Sequence, residues 1–138
     1  MQLTLNRLLQ WSDRTGFAFS FTKTKCVHFC RLRNCAYDPD LFLGRSQLSF
    51  VDCIRFLGLD FDRKLTWKLH LRALKYRCLR ALNLLRVLSH TSWGADRVTL
   101  LRLYRSLIRS KLDYGCVVYS SARRSYLRQL DTVHHLGI

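Results

Sequence analysis

At Thr66 the hydrophobic pattern of this chain changes period. Upstream, apolar residues come in short alternating runs broken by Gly, Ser, Asn and Asp; downstream they recur every three to four residues. An alternating run buries one face only as an extended strand, and a run of 3.6-residue period does so only as a helix. The pattern therefore predicts an α+β fold, with one leading helix and short antiparallel strands followed by a small α-helical bundle. The join is Arg55-Phe-Leu-Gly-Leu-Asp-Phe-Asp-Arg-Lys-Leu-Thr-Trp67, where two apolar runs flank a charged turn. It reads as a hairpin that feeds a strongly basic helix.

Upstream of the join, Leu3, Leu5, Leu8 and Leu9 predict a helix to about Thr15, with Gly16 as its left-handed stop. Phe17, Phe19 and Phe21 alternate as a half-buried extended stretch, and Thr24–Leu32 reads as a strand. Asn34–Asp40, with the single proline at Pro39, reads as a loop. Leu41–Leu43, Gln47–Val51 and Ile54–Phe61 are short strand candidates. Downstream, at about 100° per residue, Trp67, Leu71, Leu74, Cys78, Ala81, Leu82, Leu85 and Leu88 share one arc. Lys68, Arg72, Lys75 and Arg86 share another, beside Asn83. A second helix is expected over Ala95–Ser110, with Val98, Leu101, Tyr104, Leu107 and Ile108 packing. Arg102, Arg105 and Arg109 form its basic face, and Asp96 lies in its first turn. Further helix is expected over Leu112–Tyr119, weakened by Gly115, and over Arg123–Leu136. Cys116–Tyr119 fits either a buried helical turn or a short strand. The division predicts two regions, 1–65 and 66–138, with no flexible linker and no internal repeat.

Charge narrows the function. Of 138 residues, 24 are Lys or Arg and 9 are acidic, every one Asp, for a net charge of +15. Self-repulsion on that scale destabilises a compact chain unless a polyanion relieves it, so nucleic acid is the leading partner class and an acidic membrane surface the second. No run of about 18 apolar residues supports a membrane span, and no secretory signal pattern opens the chain. The expectation is an intracellular protein, nuclear or cytoplasmic and not secreted, with free thiols at its six cysteines.

Few residues suggest catalysis. Cys26, His28, Cys30 and Cys35 lack zinc-knuckle spacing and a second ligand pair, so buried thiols are expected and no metal site. Without Glu there is no His-Glu-x-x-His, and no nucleophile elbow or phosphate-binding glycine loop occurs. Asp60 and Asp62 share a strand face but read as turn-forming or salt-bridged, and His134-His135 as a surface pair at a helix end. A nucleic-acid surface fits better. Basic residues recur at helical spacing on two successive helices, Trp67, Tyr76 and Trp93 stand nearby, and few acids can pair with Lys68, Arg72 and Lys75. Trp67 lies on the core arc.

In order and spacing, several segments resemble the C-terminal half of the reverse transcriptase of a non-LTR (LINE-type) retrotransposon of the Jockey or I-element kind. Leu5-Asn-Arg-Leu-Leu-Gln-Trp11, Gly16-Phe-Ala-Phe-Ser20 and Lys23-Thr-Lys25 are similar to the helix, turn and Lys-Thr-Lys element that follow the catalytic aspartates. Phe56-Leu-Gly-Leu59 and Asp62-Arg-Lys-Leu-Thr-Trp67, with His70, resemble the primer-grip hairpin and the entry to the thumb. Tyr104-Arg-Ser-Leu-Ile-Arg-Ser-Lys-Leu-Asp-Tyr-Gly115 and Leu130-Asp-Thr-Val-His134 resemble the thumb helices. The resemblance implies a C-terminal palm portion over 1–65 and a thumb over 66–138. It also implies an RNA template and a DNA primer as partners. Lys23, with Lys25 as the second choice, is the implied general acid for the leaving pyrophosphate. Phe56, Leu57 and Gly58 are the implied primer grip, the alternative for Phe56 and Leu57 being strand core. Lys25, Lys64, Lys68, Arg72 and Lys75 are the implied nucleic-acid contacts. The family's Asp-Asp stretch, which holds Mg²⁺ for phosphoryl transfer, does not occur here, and neither do its fingers. The expectation is a fragment, with an internal start at Met1 and an end where the family continues. It binds no cofactor itself, and Mg²⁺ belongs to the complete enzyme. The chain alone is expected to be inactive. The alternative is a stand-alone basic nucleic-acid-binding protein from a decayed element.

Overall fold

Leu5 and Leu9 stand one turn apart on the leading helix and commit that face to a core, which sets the first half of the fold. In the computed structural model, which describes residues 1–32, 37–90 and 93–136, the chain forms two compact units. The first is Met1–Arg55 with Asp62–Leu65, and the second is Phe56–Phe61 with the chain from Thr66 onward.

In the first unit, α1 (Gln2–Thr15) ends at Gly16, whose φ of 74° is the left-handed stop expected there. Leu5 and Leu9 pack with Phe19, Cys26 and Phe50 around buried Leu41, Leu43 and Leu48. Gln2 fixes the helix to the strand below. Its Nε2 donates to the Phe42 carbonyl, and its Oε1 accepts from the Phe42 N–H, both at 2.9 Å. The strands are shorter than the alternation predicts. β1 (Lys25–Cys26) pairs in parallel with β4 (Ser49–Phe50), and β2 (Phe42–Leu43) pairs antiparallel with β3 (Ser46–Gln47). The expected Thr24–Leu32 strand survives only as β1. Beyond it, His28 Nδ1 turns to Asp38 at 3.1 Å, and Arg63 grips the same carboxylate at 2.5 Å. That side-chain network, with one backbone bond from the Cys30 N–H to the Arg63 carbonyl at 2.9 Å, holds the segment where a ladder would have. Cys35 and the start of the expected Asn34–Asp40 loop lie outside the described residues. Cys30 is disulfide-bonded, a correction to the all-thiol expectation, while Cys26, Cys53, Cys78 and Cys116 are free thiols.

A hairpin of β5 (Cys53–Phe56) and β6 (Leu59–Asp62) leads to the second unit's helices: α2 (Lys68–Leu88), α3 (Arg97–Tyr104), α4 (Ser110–Asp113), α5 (Cys116–Tyr119) and α6 (Arg124–Leu136). A π-helical turn, Arg105–Arg109, joins α3 to α4. α2 is the hub and packs against α6, α3, the π turn and α4. Its buried stripe is Leu71, Leu74, Cys78, Ala81, Leu82 and Leu85, as the periodicity predicts, with Trp67 buried just ahead of it. His70 joins that stripe, whereas Leu88 remains exposed at the helix end. Among the described residues, Leu71, Cys78, Ile108 and Val133 are the largest fully enclosed side chains. Cys116–Tyr119 resolves as a helical turn that buries Tyr119 and leaves Val117 exposed. α3 starts two residues later than expected, so Asp96 is its N-cap and accepts from the Val98 and Thr99 N–H groups at 3.0 and 3.2 Å. Those bonds, the Thr99 hydroxyl foremost, hold its carboxyl below the usual range.

The enclosed positions set a stability test. Ile108→Ala should cost about 2–5 kcal/mol by urea unfolding, since the void cannot collapse against three helices. Val117→Ala, at a site 84% exposed, should stay within about 0.5 kcal/mol.

Candidate nucleic-acid interface

The predicted grip residues occupy the tip of the β5–β6 hairpin. Leu57 and Gly58 both have positive φ, 45° and 78°, the backbone hand that a two-residue hairpin loop favours because it matches strand twist. Gly58 adopts it freely, whereas a leucine there is strained by about 1–3 kcal/mol. Leu65 and Trp67, at φ of 50° and 61°, are the other non-glycine residues in this region of backbone space among those described. All three lie within the Arg55–Trp67 join. Such strain persists only where surrounding contacts over-determine it, and it gathers at functional segments.

For the hairpin tip those contacts come from Tyr114, in the same unit. The Tyr114 hydroxyl donates to the Leu57 carbonyl at 2.7 Å, and its ring lies 3.4 Å from where a Gly58 Cβ would stand. Gly115, at φ 70°, follows Tyr114, and a Cβ there would come within 2.8 Å of a Leu59 methyl. Only glycine lets the two segments approach so closely. With its carbonyl held from one side and Leu59 buried, the tip directs Phe56 and Leu57 outward, 60% and 71% exposed. The strand-core alternative for these two residues is thereby removed. Phe56 meets Phe61 edge-on, at 6.5 Å between ring centres.

Behind the tip runs an aromatic chain. Phe61 meets Trp67 edge-on at 4.9 Å, Trp67 meets His70 at 6.4 Å, and His70 meets Tyr119 at 5.5 Å. Trp67 donates its indole N–H to Ser121 at 3.1 Å, so it is core and unavailable to a ligand. The Asp60 backbone N–H donates to His70 Nδ1 at 3.3 Å, which sets that nitrogen as an acceptor and binds the hairpin to α2. Asp62 accepts from the Lys64 N–H at 3.1 Å, the turn-forming role expected.

The basic stripe of α2 emerges beside this frame. Lys68, Arg72 and Arg86 are exposed and Lys75 is half-buried. Among the described residues no carboxylate pairs with any of them. α2 has no acidic residue in its first turn and no side-chain cap at Trp67. Positive charge there opposes the helix dipole, so an incoming anion gains from both. A third face of α2, unmarked by the basic and core arcs, exposes Leu69, Tyr76, Leu84 and Val87. Arg80 lies over the Tyr76 ring at 6.0 Å. Lys23, Lys25 and Lys64 belong to the first unit and are exposed, Lys23 on a turn closed by its N–H to the Ser20 carbonyl at 3.2 Å. Trp93 is 61% exposed and stacks on His90. His134 is exposed and bonded to the Tyr104 hydroxyl at 3.1 Å. No three His, Cys or Asp side chains gather to hold a metal ion among the described residues, and no described helix is long and apolar enough to cross a membrane.

Comparison with known proteins bears on this arrangement. The chain is 25% identical over 118 residues to the Pol polyprotein of the type-1 retrotransposable element R1 of Bradysia coprophila, covering 85% of this chain. It is 22% identical to the probable RNA-directed DNA polymerase from transposon X-element and 25% identical to the RNA-directed DNA polymerase from mobile element jockey, both of Drosophila melanogaster and each over 94% of this chain. The chain is thus similar to RNA-directed DNA polymerases and a Pol polyprotein of transposable elements. It spans 12–14% of the length of these curated relatives. No family profile and no solved structure matches it.

Tyr119 offers a pH test of the frame. Burial, helped by nearby Cys116 and Asp113, pushes its phenol from 10.0 up to about 12. The unfolded chain ionises at the ordinary value, so this stabilisation is complete below pH 10 and is lost as pH rises to about 12. Tyr119→Phe should flatten that alkaline fall in urea midpoint. It should also lower the neutral plateau by about 1 kcal/mol, because the Leu112 carbonyl loses its donor.

Proposed function

We propose that this chain is the primer-gripping portion of a retrotransposon reverse transcriptase. In this reading the first unit is part of the palm and the helical unit is the thumb. Phe56, Leu57 and Gly58 hold the 3′ end of a DNA primer, and Lys68, Arg72 and Lys75 track phosphates of the RNA–DNA hybrid. Lys25 and Lys64 add contacts from the first unit. One observation carries the reading: an exposed Phe-Leu pair, its leucine on strained backbone and clamped by Tyr114, shares a unit with a basic stripe that has no carboxylate partner among the described residues. A hairpin held so rigidly, with apolar side chains in water, is arranged to receive a ligand.

The sequence contains no adjacent pair of aspartates, and the described residues gather no metal-binding cluster. In this reading the Mg²⁺ of two-metal transfer is held by other parts of the polymerase. Lys23, an exposed ammonium on a turn, is the proposed proton donor to the pyrophosphate in the complete enzyme.

Fluorescence anisotropy with an RNA–DNA hybrid tests the grip. If about five phosphates are neutralised, log affinity should fall with log salt at a slope of about −4 to −5, and Lys68→Ala/Arg72→Ala/Lys75→Ala should make that slope shallower by about 3. A flat salt response would sink the reading. Leu57→Gly should leave the fold as stable or more so, because it relieves left-handed strain, yet weaken binding to a recessed primer end. Primer extension by the chain alone, with Mg²⁺ and an RNA template, should show no incorporation.

A further inference from the structure

The helical unit carries a second basic constellation, on the side of α2 away from the Lys68 stripe. A cleft of about 270 Å³ opens at Gly58 beside the grip. Two cations from different helices line it, Arg77 on α2 and Lys111 on α4, with the Ser110 and Tyr114 hydroxyls and buried His70 and Leu74. No carboxylate lines it. Arg77 spends its Nε on the Ala73 carbonyl at 3.3 Å, and its two terminal NH₂ groups make no hydrogen bond among the described residues. Lys111 is exposed and has no ion pair among them.

Two like charges held around one cleft repel each other, and an anion between them reverses the sign of that interaction. Their fields converge inside the unit. Burial raises the Cys78 thiol, and Lys111 and Arg77 together are the charges that oppose the rise. The placement of Lys111 depends on the π turn. Its extra residue rotates the next helical segment by about 100° relative to an unbroken α-helix and brings Lys111 and Tyr114 to the α2 side. The volume lies below the roughly 300 Å³ at which drug-sized pockets begin, so it suits a group rather than a cofactor.

We propose that this cleft binds one internucleotide phosphate of the strand held at Phe56–Gly58. Arg77 presents its forked N–H groups and Lys111 a second charge, while the Ser110 hydroxyl donates to the Ser106 carbonyl at the cleft wall. Tyr114 links the two functions, since one hydroxyl holds the Leu57 carbonyl while its ring borders the phosphate cleft. The proposal rests on the nucleic-acid reading and adds a site to it: the grip holds the strand by an apolar tip and an adjacent phosphate together.

The test uses the full chain and recessed RNA–DNA hybrids, each with one primer phosphodiester replaced by a neutral methylphosphonate. The unmodified chain should lose about tenfold in affinity at one linkage near the primer end. Arg77→Gln/Lys111→Gln should lose about tenfold on the all-phosphate hybrid, show a salt slope shallower by about 1, and lose nothing further at that linkage. Arg77→Lys/Lys111→Arg should restore most of the affinity. Lys111→Gln alone, at an exposed position, keeps the cycle readable if the double variant does not fold. If hybrid binding and its Lys68, Arg72 and Lys75 dependence persist while the Arg77/Lys111 losses simply add to the methylphosphonate loss, the cleft proposal is overturned and the grip stands. If the chain does not bind hybrid, both fall. Saturable line broadening of inorganic phosphate by ³¹P NMR, abolished by Lys111→Gln but without any methylphosphonate-sensitive linkage, would assign the cleft to free phosphate and overturn the backbone assignment.

Discussion

The helical unit depends on whether α2 can bury an apolar stripe while carrying Lys68, Arg72, Lys75, Arg77, Arg80 and Arg86 with no carboxylate of its own. The stripe must face inward, because Leu71, Leu74, Cys78 and Leu82 supply the apolar area that outweighs the ordering of 21 residues. The cations then have to face water or one another. Nothing local favours the helix start. Trp67 offers no capping side chain, its φ is left-handed, and Lys68 opposes the dipole. Tertiary burial of Trp67 against Phe61, with its indole bonded to Ser121, holds the start instead.

From that constraint the hairpin tip follows. Burying Trp67 and His70 fixes β6 through the Asp60 N–H. Leu59 then fills the space that Gly115 leaves open, and Tyr114 captures the Leu57 carbonyl. Each contact is modest alone, but they over-determine a turn that carries leucine where glycine or asparagine would be relaxed. The result keeps Phe56 and Leu57 in water on a rigid mount, which a soft loop would not do.

Much of this is legible in the residue order alone. The α1 stop at Gly16, the α2 core stripe and the separate Lys68–Arg72–Lys75 stripe follow from period and spacing, which neighbours in sequence set. The strands come out shorter than the pattern implies, because alternation from Thr24 to Leu32 records half-burial and not ladder bonds. There the His28, Asp38 and Arg63 side chains and a single backbone bond from Cys30 to Arg63 do the holding. Tyr114 cannot be singled out from sequence, since an aromatic near a helix end has no periodic mark. Its one signal is adjacency to Gly115, which on a helical count is only a weak point. Arg77 falls outside the basic arc of α2, and Lys111 sits on an unbroken helical count that the π turn displaces.

The sequence by itself determined the class of fold, the position of the switch at Thr66, the excess of positive charge and the helix face that carries it. These are local properties, set by residue type and by the 2.0 and 3.6 periods of extended and helical backbone. Only the tertiary structure decided that Leu57 would be strained and exposed, that Tyr114 would clamp it from 57 residues away, and that Arg77 and Lys111 would share one cleft. Those outcomes depend on how close two segments can come. That distance is set by Gly115, by the π turn and by the space left once α2 has buried its stripe.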